Sequence, residues 1–439
     1  MSALAVFMAD RGASVSGSDR AFDRGLPHPV SESLRTRGIT LVPQNGKGFD
    51  RSVDLVVFST AVEPDNPDFA AARTLGLRSM TRPEFLADLV RSFKTCAVAG
   101  TSGKSTTAGM LAFLMKELGL QPNFIGGGRV KQFRTAGNPG NSLSGASDLL
   151  VVEACESDGT IVNYRPGETI LLNLALDHHP VSETADLFRT LIDQTSGPVV
   201  ANADDPNLTD ILPSGATTFS LDRPSSFRPD WYQCGPLETE FLIGGVPLVC
   251  PLPGRHNLYN ALSCLALLTT RGISPKDVSP HLKRFRGIER RFDIVLNDGR
   301  FLVIDDYAHN PHKIEALMES VCRLSSSVCY VFQPHGYGPT RLMKEEYCRV
   351  FSGRLRKGDH LYLLPIYFAG GTTRKDISSE DLAAVIGAAG KSAAVLAERN
   401  RIVENLSRWE TYVVFGARDE TLSDFARSIA QALSSRPIL

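Results

Sequence analysis

The segment Cys96-Ala97-Val98-Ala99-Gly100-Thr101-Ser102-Gly103-Lys104-Ser105-Thr106-Thr107 carries residue types that grip a polyphosphate. A short apolar run leads into Gly-Thr-Ser-Gly-Lys-Ser-Thr, and a helical pattern follows at once. That order, strand then loop then helix N-terminus, presents backbone N–H groups and a partial positive charge to an anion. The glycines let the backbone turn inward, Lys104 reaches the terminal phosphates, and the Ser105 hydroxyl suits the shell of a Mg²⁺ ion. The spacing is G-T-x-G-K-S, narrower than the generic G-x-x-x-x-G-K-[ST], which wants glycine where Val98 stands. A nucleotide phosphate site is the reading, set against a Gly-rich turn that binds nothing.

Other residues could serve the same chemistry. Leu149 to Val152 reads as a buried strand ending at Glu153, and an acid at a strand end beside a phosphate loop is where a Mg²⁺ ligand belongs. Glu156 and Asp158 follow closely and read equally well as loop or helix-capping acids. The strand at Ile170 to Leu174 leads to Asp177-His178-His179. A lone histidine is more often structural, but three strand ends (Lys104-Ser105, Glu153, His178) converge here on one sheet edge. In Pro253 to Asn260, Asn257 and Asn260 lie three apart and share a helical face. Their amides can read a purine edge, although taken alone the segment is equally a helix cap. Arg290-Arg291-Phe292-Asp293 and Asp305-Asp306-Tyr307-Ala308-His309-Asn310-Pro311 open the last part of the chain. An arginine brought in from another domain, with an acid at a strand end, suggests a reaction site closed between domains.

The elements that must position these groups are those of an α/β protein. Apolar runs of four to seven residues alternate with helical patterns, which predicts βα units stacked on parallel sheets. A length of 439 residues allows two to four domains. Boundaries fall to give blocks at 1–92, 93–286 and 287–439. The last contains strands at Phe301 to Ile304, Cys329 to Phe332, Leu361 to Leu364 and Tyr412 to Phe415; Arg223 to Gly235 reads as an ordered surface insertion. Lys plus Arg (47) nearly balances Asp plus Glu (48), so no bulk field favours nucleic acid or an anionic membrane. The eight cysteines include no CxxC pair and follow no secretory signal, which predicts reduced thiols in the cytoplasm. No apolar run approaches the length of a membrane span. The first block opens on a helix at Met1 to Arg11 and a strand at Ala13 to Ser18, without the strand and Gly-rich turn that begin a dinucleotide-type fold. The expectation is that the DNA upstream of Met1 encodes both in frame.

Taken together these motifs resemble the Mur ligases, the ATP-dependent amide-forming enzymes of peptidoglycan synthesis, over nearly the whole chain. Gly100 to Thr106 matches the family phosphate loop. Glu153-Ala154-Cys155-Glu156-Ser157-Asp158 is similar to the E-A-D-E-S-D run of the alanine-adding branch, with Cys155 replacing the middle acid. Asn173 to His178 resembles the N-x-x-x-D-H motif, and Gly254 to Asn257 with Asn260 resembles the G-x-H-N-x-x-N adenine segment. Arg290-Arg291-Phe292 and Asp305-Asp306-Tyr307 match the signatures of the C-terminal domain. Gln333-Pro334-His335 with Thr340-Arg341, Ser16 to Asp19, and Ser59 to Ala61 with Pro64 to Pro67 point to the alanine-adding branch. So does the lack of a lysine between Asp177 and Pro198. Two departures stand out. Gly336-Tyr337-Gly338-Pro339 replaces the usual Arg-rich run, and Ala308-His309-Asn310-Pro311 replaces G-H-H-P; both keep the relative that recycles murein tripeptide in play.

The resemblance implies a three-domain fold: a truncated Rossmann-like UDP-binding domain, a central P-loop ATPase domain with a mostly parallel sheet, and a C-terminal Rossmann-like amino-acid-binding domain. It implies that ATP phosphorylates the carboxylate of UDP-N-acetylmuramate and that the amine of L-alanine attacks the acyl phosphate, with Mg²⁺ as cofactor. Lys104, Glu153, His178, Arg291 and Asp306 would be catalytic, and Ser105, Glu153 and His178 would hold the metal. ATP would lie on Gly100, Thr101, Ser102, Gly103, Lys104, Ser105 and Thr106, with Asn257, Asn260, Arg291 and Asp306. The UDP-sugar would meet Ser18, Asp19, Ser59, Thr60 and Arg82, and the amino acid His309, His335 and Arg341. A P-loop switch would need a switch element and, for GTP, an N-K-x-D motif, which is not found; a binding protein that has lost turnover is the third reading.

Overall fold

Side chains alternate across the strand Lys94–Ala99, and this divides the core around it. Cys96 and Val98 join the helices Lys104–Glu117 and Arg255–Thr270 on one face. Ala97 and Ala99 join Ser2–Asp10, Arg82–Ser92 and Val181–Asp193 on the other. In this computed structural model the described residues are 1–439 except 24, 26–29, 177–178, 369–372, 405, 407 and 436–439.

The strand is central in a sheet of seven, in the order Thr217–Phe219, Val199–Asn202, Glu168–Leu171, Lys94–Ala99, Leu149–Glu153, Asn123–Ile125, Ser142–Leu143. All pairs are parallel except the last. A parallel sheet covered on both faces explains why its strands read as continuous apolar runs. A separate antiparallel sheet follows, Trp231–Cys234, Thr239–Ile243 and Val246–Cys250, and the predicted insertion leads into its first strand. The predicted strand at Ala13 to Ser18 shortens to Ser16–Gly17, paired with Thr40–Leu41, and Val56–Phe58 pairs with Ser79–Thr81, both parallel.

The chain forms two compact units, Met1–Ile288 and Glu289–Leu439, and the blocks expected at 1–92 and 93–286 fall together in the first. The physical reason is a shared core: Leu4, Phe7, Leu86 and Val90 lie in one buried cluster with Ile125 and Val152, and the Phe7 and Phe93 rings meet at 6.1 Å. The second unit holds a six-stranded sheet in the order Asp293–Asn297, Leu302–Asp306, Thr411–Gly416, Val328–Gln333, His360–Leu363, Ala393–Val395. Its first pair is antiparallel and the rest are parallel. Among the described residues no helix is long and apolar enough to cross a membrane.

Candidate active site

In the first unit the phosphate loop leaves the strand Lys94–Ala99 through Gly100, at φ 144°, and enters the helix Lys104–Glu117 through Gly103, at φ 84°. Both values lie where only glycine is relaxed. The loop is stapled from the neighbouring strand end. Thr101 Oγ1 and the Ser102 N–H both donate to Asn173 Oδ1 at 2.8 Å, and Asn173 Nδ2 returns a bond to the Ser102 carbonyl at 3.1 Å. Lys104 Nζ donates to the Gly100 carbonyl at 2.6 Å and to both carboxylate oxygens of Glu156, at 2.8 and 3.1 Å. Glu156 is therefore the buried counter-ion of the loop lysine. Asp158 keeps the local turn role, accepting from the Thr160 N–H at 3.0 Å.

Ser105 Oγ donates to Glu153 Oε2 at 3.1 Å, and Glu153 Oε1 accepts from the Gly127 N–H at 2.7 Å. A Cβ on Gly127 would stand 3.1 Å from Glu153 Oε2, so the absence of a side chain there lets the backbone approach the acid. Ser105 and Glu153 thus form a pair of hard oxygen donors at the loop. His178 and Asp177 lie outside the described residues. Asn257 and Asn260 share a face of the helix Arg255–Thr270, and both are buried. Their amides are engaged with each other at 3.2 Å, and Asn257 Nδ2 also serves the Pro253 carbonyl at 2.8 Å. Asn260 abuts the loop: its Oδ1 would lie 2.6 Å from a Cβ on Gly103.

Of the residues assigned to a UDP-sugar, Ser18 donates to Asp68 at 2.5 Å, Asp19 caps the Ala21 N–H at 2.8 Å, and Ser59 Oγ accepts from the Ala61 N–H at 3.3 Å. Thr60 is exposed, and Arg82 opens the helix capped by Thr81 and Glu84. A cavity of about 430 Å³ in this unit is lined by Asp10, Arg37 and Asn138 among others, none of them a predicted site residue.

In the second unit Asp306 is committed to its own loop, accepting from the Phe292 N–H at 2.6 Å and the Ala308 N–H at 2.7 Å. Burial holds its carboxyl above the usual range, opposed by those N–H groups and Arg291. Arg290 and Arg291 both lie over the Tyr307 ring, at 4.9 and 5.0 Å. Arg290 and Phe292 have φ of 60° and 47°, unusual for side-chain-bearing residues. Asp305 is pushed up to about 7 by burial, against the pull of Arg290 and the Ser423 hydroxyl 2.5 Å away. His309 and His335 meet ring to ring at 5.3 Å, and burial lowers both, His309 to about 4. Arg341 does not join them: it is ion-paired with Asp376 and donates to the Arg374 carbonyl at 2.9 Å. The pairings of Glu156, Asn173 and Gly127 escaped sequence reading, although Asn173 and Glu156 stood inside the motifs that flagged the site.

Three family models match the chain: Mur ligase family, catalytic domain, at residues 1–94; Mur ligase middle domain at 98–268; and Mur ligase, glutamate ligase domain, at 290–418. The chain is 33% identical to a UDP-N-acetylmuramate–L-alanine ligase of Synechococcus sp., over 95% of this chain and 91% of the relative. It is 32% identical to a ligase of the same name from Symbiobacterium thermophilum, over 100% and 93%. The crystal structure of the UDP-N-acetylmuramate-alanine ligase of Thermotoga maritima shares the fold at a TM-score of 0.81 and 24% identity, covering 99% of this chain and 96% of that one. A murein peptide ligase of Psychrobacter arcticus does so at 0.69 and 21%, covering 100% and 97%.

Proposed function

Because the chain belongs to the Mur ligase family, we propose that it joins L-alanine to the carboxylate of UDP-N-acetylmuramate while ATP becomes ADP and phosphate, a step of peptidoglycan synthesis. The observation that carries the reading is identity of 32–33% spread over nine-tenths or more of both chains in two ligases of that name. The geometry of the first unit supplies what the first half-reaction demands. A carboxylate oxygen attacks the terminal phosphorus of ATP, ADP leaves, and two anions must be held together meanwhile. Backbone N–H groups of the loop and Lys104 offset that charge. Glu156 and the Gly100 carbonyl aim the ammonium, so little reorganisation is left for the reaction. Ser105 and Glu153, 3.1 Å apart, fit Mg²⁺, which takes one or two protein oxygens and keeps its remaining positions for water and phosphate. When bound there, the ion offsets charge on the transferring phosphoryl group. Asn257 and Asn260 flank the loop where an adenine would follow. In the second half-reaction the neutral amine attacks the acyl carbon and phosphate departs.

A second reading, addition of a whole murein tripeptide, is favoured by one observation: Gly336 to Pro339 stand where the alanine-adding branch carries its Arg-rich run. One assay separates the two. Phosphate release is expected to require ATP, Mg²⁺, UDP-N-acetylmuramate and an amine together, and a panel of L-alanine, glycine, L-serine and L-alanyl-γ-D-glutamyl-meso-diaminopimelate ranks the amines. Release that ignores the sugar nucleotide or every amine overturns both readings.

A further inference from the structure

The second unit contains a cavity of about 290 Å³ lined by His335, Tyr337, Tyr367, Phe368, Thr373 and Arg418, among others. Its chemistry is that of a small zwitterion site: aromatic walls, one guanidinium in the lining, and the Lys375 ammonium held over the Phe368 and Tyr337 rings at 4.6 and 5.9 Å. Tyr337 and Phe368 meet edge to face at 5.5 Å, which fixes one wall. His335 brings a buried Nδ1 that has no partner among the described residues, and a buried polar atom left unpaired is costly enough to call for one.

Three further facts single out Arg418. First, its side chain is exposed and has neither an ion pair nor a hydrogen bond among the described residues, so no carboxylate there neutralises it. Second, its φ is 69°, a conformation that strains a side-chain-bearing residue where glycine would be at ease, and such strain gathers at functional positions. Third, the other arginines near the Gln333-Pro334-His335 run are spent: Arg399 donates to Gln333 Oε1 at 3.1 Å and is ion-paired with Asp419. Arg341 is neutralised by Asp376, and no arginine stands at 336 to 339.

Resting on the reading of the chain as an amino-acid ligase, we propose that Arg418 receives the carboxylate of the incoming amine substrate and thereby selects for an α-amino acid or peptide acid. A guanidinium meets a carboxylate through two parallel N–H donors, which gives orientation as well as charge. The aromatic walls admit a small side chain and leave the amine end of the substrate toward His335, which burial and Arg418 keep neutral at pH 7.

The test compares L-alanine with L-alaninamide, which lacks the carboxylate, in the ATP-dependent assay. Wild type is expected to prefer L-alanine by about 10- to 100-fold in kcat/KM, the range of one charged hydrogen-bonded contact. Arg418→Ala should raise the KM for L-alanine by a similar factor, leave the KM for ATP unchanged and abolish the preference over the amide. Arg418→Lys should restore part of it, and Arg341→Ala should leave it intact. Arg418→Gly separates binding from structure. It relieves the positive φ, so its thermal midpoint should equal or exceed that of wild type while the preference is still lost. Retention of the preference in Arg418→Ala and Arg418→Gly overturns the proposal and leaves the ligase reading standing. If another amine wins the panel, the same ratio is measured between it and its amide. A wild type that turns over no amine overturns both.

Discussion

At the carboxyl ends of the strands Lys94–Ala99 and Leu149–Glu153, polar side chains are answered from within the unit. Lys104 has Glu156 and the Gly100 carbonyl, Thr101 has Asn173, and Ser105 has Glu153. At the carboxyl ends of the strands Leu302–Asp306, Val328–Gln333 and Thr411–Gly416 the pattern changes. There Arg290 Nη1 and His335 Nδ1 are buried without hydrogen-bond partners among the described residues, Arg290 Nε and Asp305 Oδ1 meet only as an ion pair at 3.7 Å, and Arg290, Phe292 and Arg418 carry positive φ. On the proposed reading the first region receives one ligand of invariant shape, a polyphosphate, so its donors can be locked in advance. The second keeps polar atoms without hydrogen-bond partners and strained backbone, and it holds the departures at Gly336 to Pro339 and Ala308 to Pro311.

The largest effect that would sharpen this contrast is at Lys104. Lys104→Ala should cut kcat at least about 100-fold, the scale of losing one charge-stabilising donor. It also strands Glu156, whose side chain is 2% exposed, at a cost of about 3 kcal/mol. Adding Glu156→Gln should then return the thermal midpoint toward wild type without returning turnover. Normal turnover in Lys104→Ala would break the first half of the comparison. Asn173→Ala comes next. It removes the staple, and with about 1 kcal/mol at stake per hydrogen bond the KM for ATP should rise roughly tenfold or more, with the KM for the amine untouched. A change confined to the amine KM would contradict the loop assignment.

A smaller effect probes the second region through pH. Asp305, raised from 3.8 to about 7, binds its proton more tightly folded than unfolded, so the folded state holds the extra proton between those values. Its contribution is complete below about pH 4 and is lost as pH rises through 7, which makes stability fall with pH across that window. Arg290, Ser423, Asp293 and Asp306 face the group and are included in that balance. Asp305→Asn should flatten the fall, read from thermal midpoints between pH 5 and 8. An unchanged slope would show that the buried carboxyl of this region does not govern it.

Much of the first region was legible from residue order. The loop, its lysine and serine, and Glu153 at the neighbouring strand end follow from apolar runs that read as buried strands and from glycines that mark a tight turn between strand and helix. Strands in the second unit were legible for the same reason, and the observed Val328–Gln333 and Thr411–Gly416 differ from expectation by a residue at each end. The edge strands Asp293–Asn297 and Ala393–Val395 were not: the first offers only three apolar residues in a row, and the alanine-rich run Ala393 to Ala397 suits a helix as well as a strand. Side-chain commitments were illegible as well. Asp306 looked free to meet a nucleotide until the backbone of Phe292 and Ala308 folded onto it, and Arg341 looked free to meet a carboxylate until Asp376, 35 residues on, closed with it.

Local sequence by itself determined the element types and placed the Gly-rich loop with Lys104 and Ser105 at the sheet edge, because periodicity, glycine conformation and helix-end charge act within a few residues. Tertiary structure alone decided which of those side chains are already spent. Lys104 meets Glu156 across 52 residues and Ser102 meets Asn173 across 71. Whether a charge is paired or left over depends on which strand ends the sheet order brings side by side, and that order is a property of the whole packed chain.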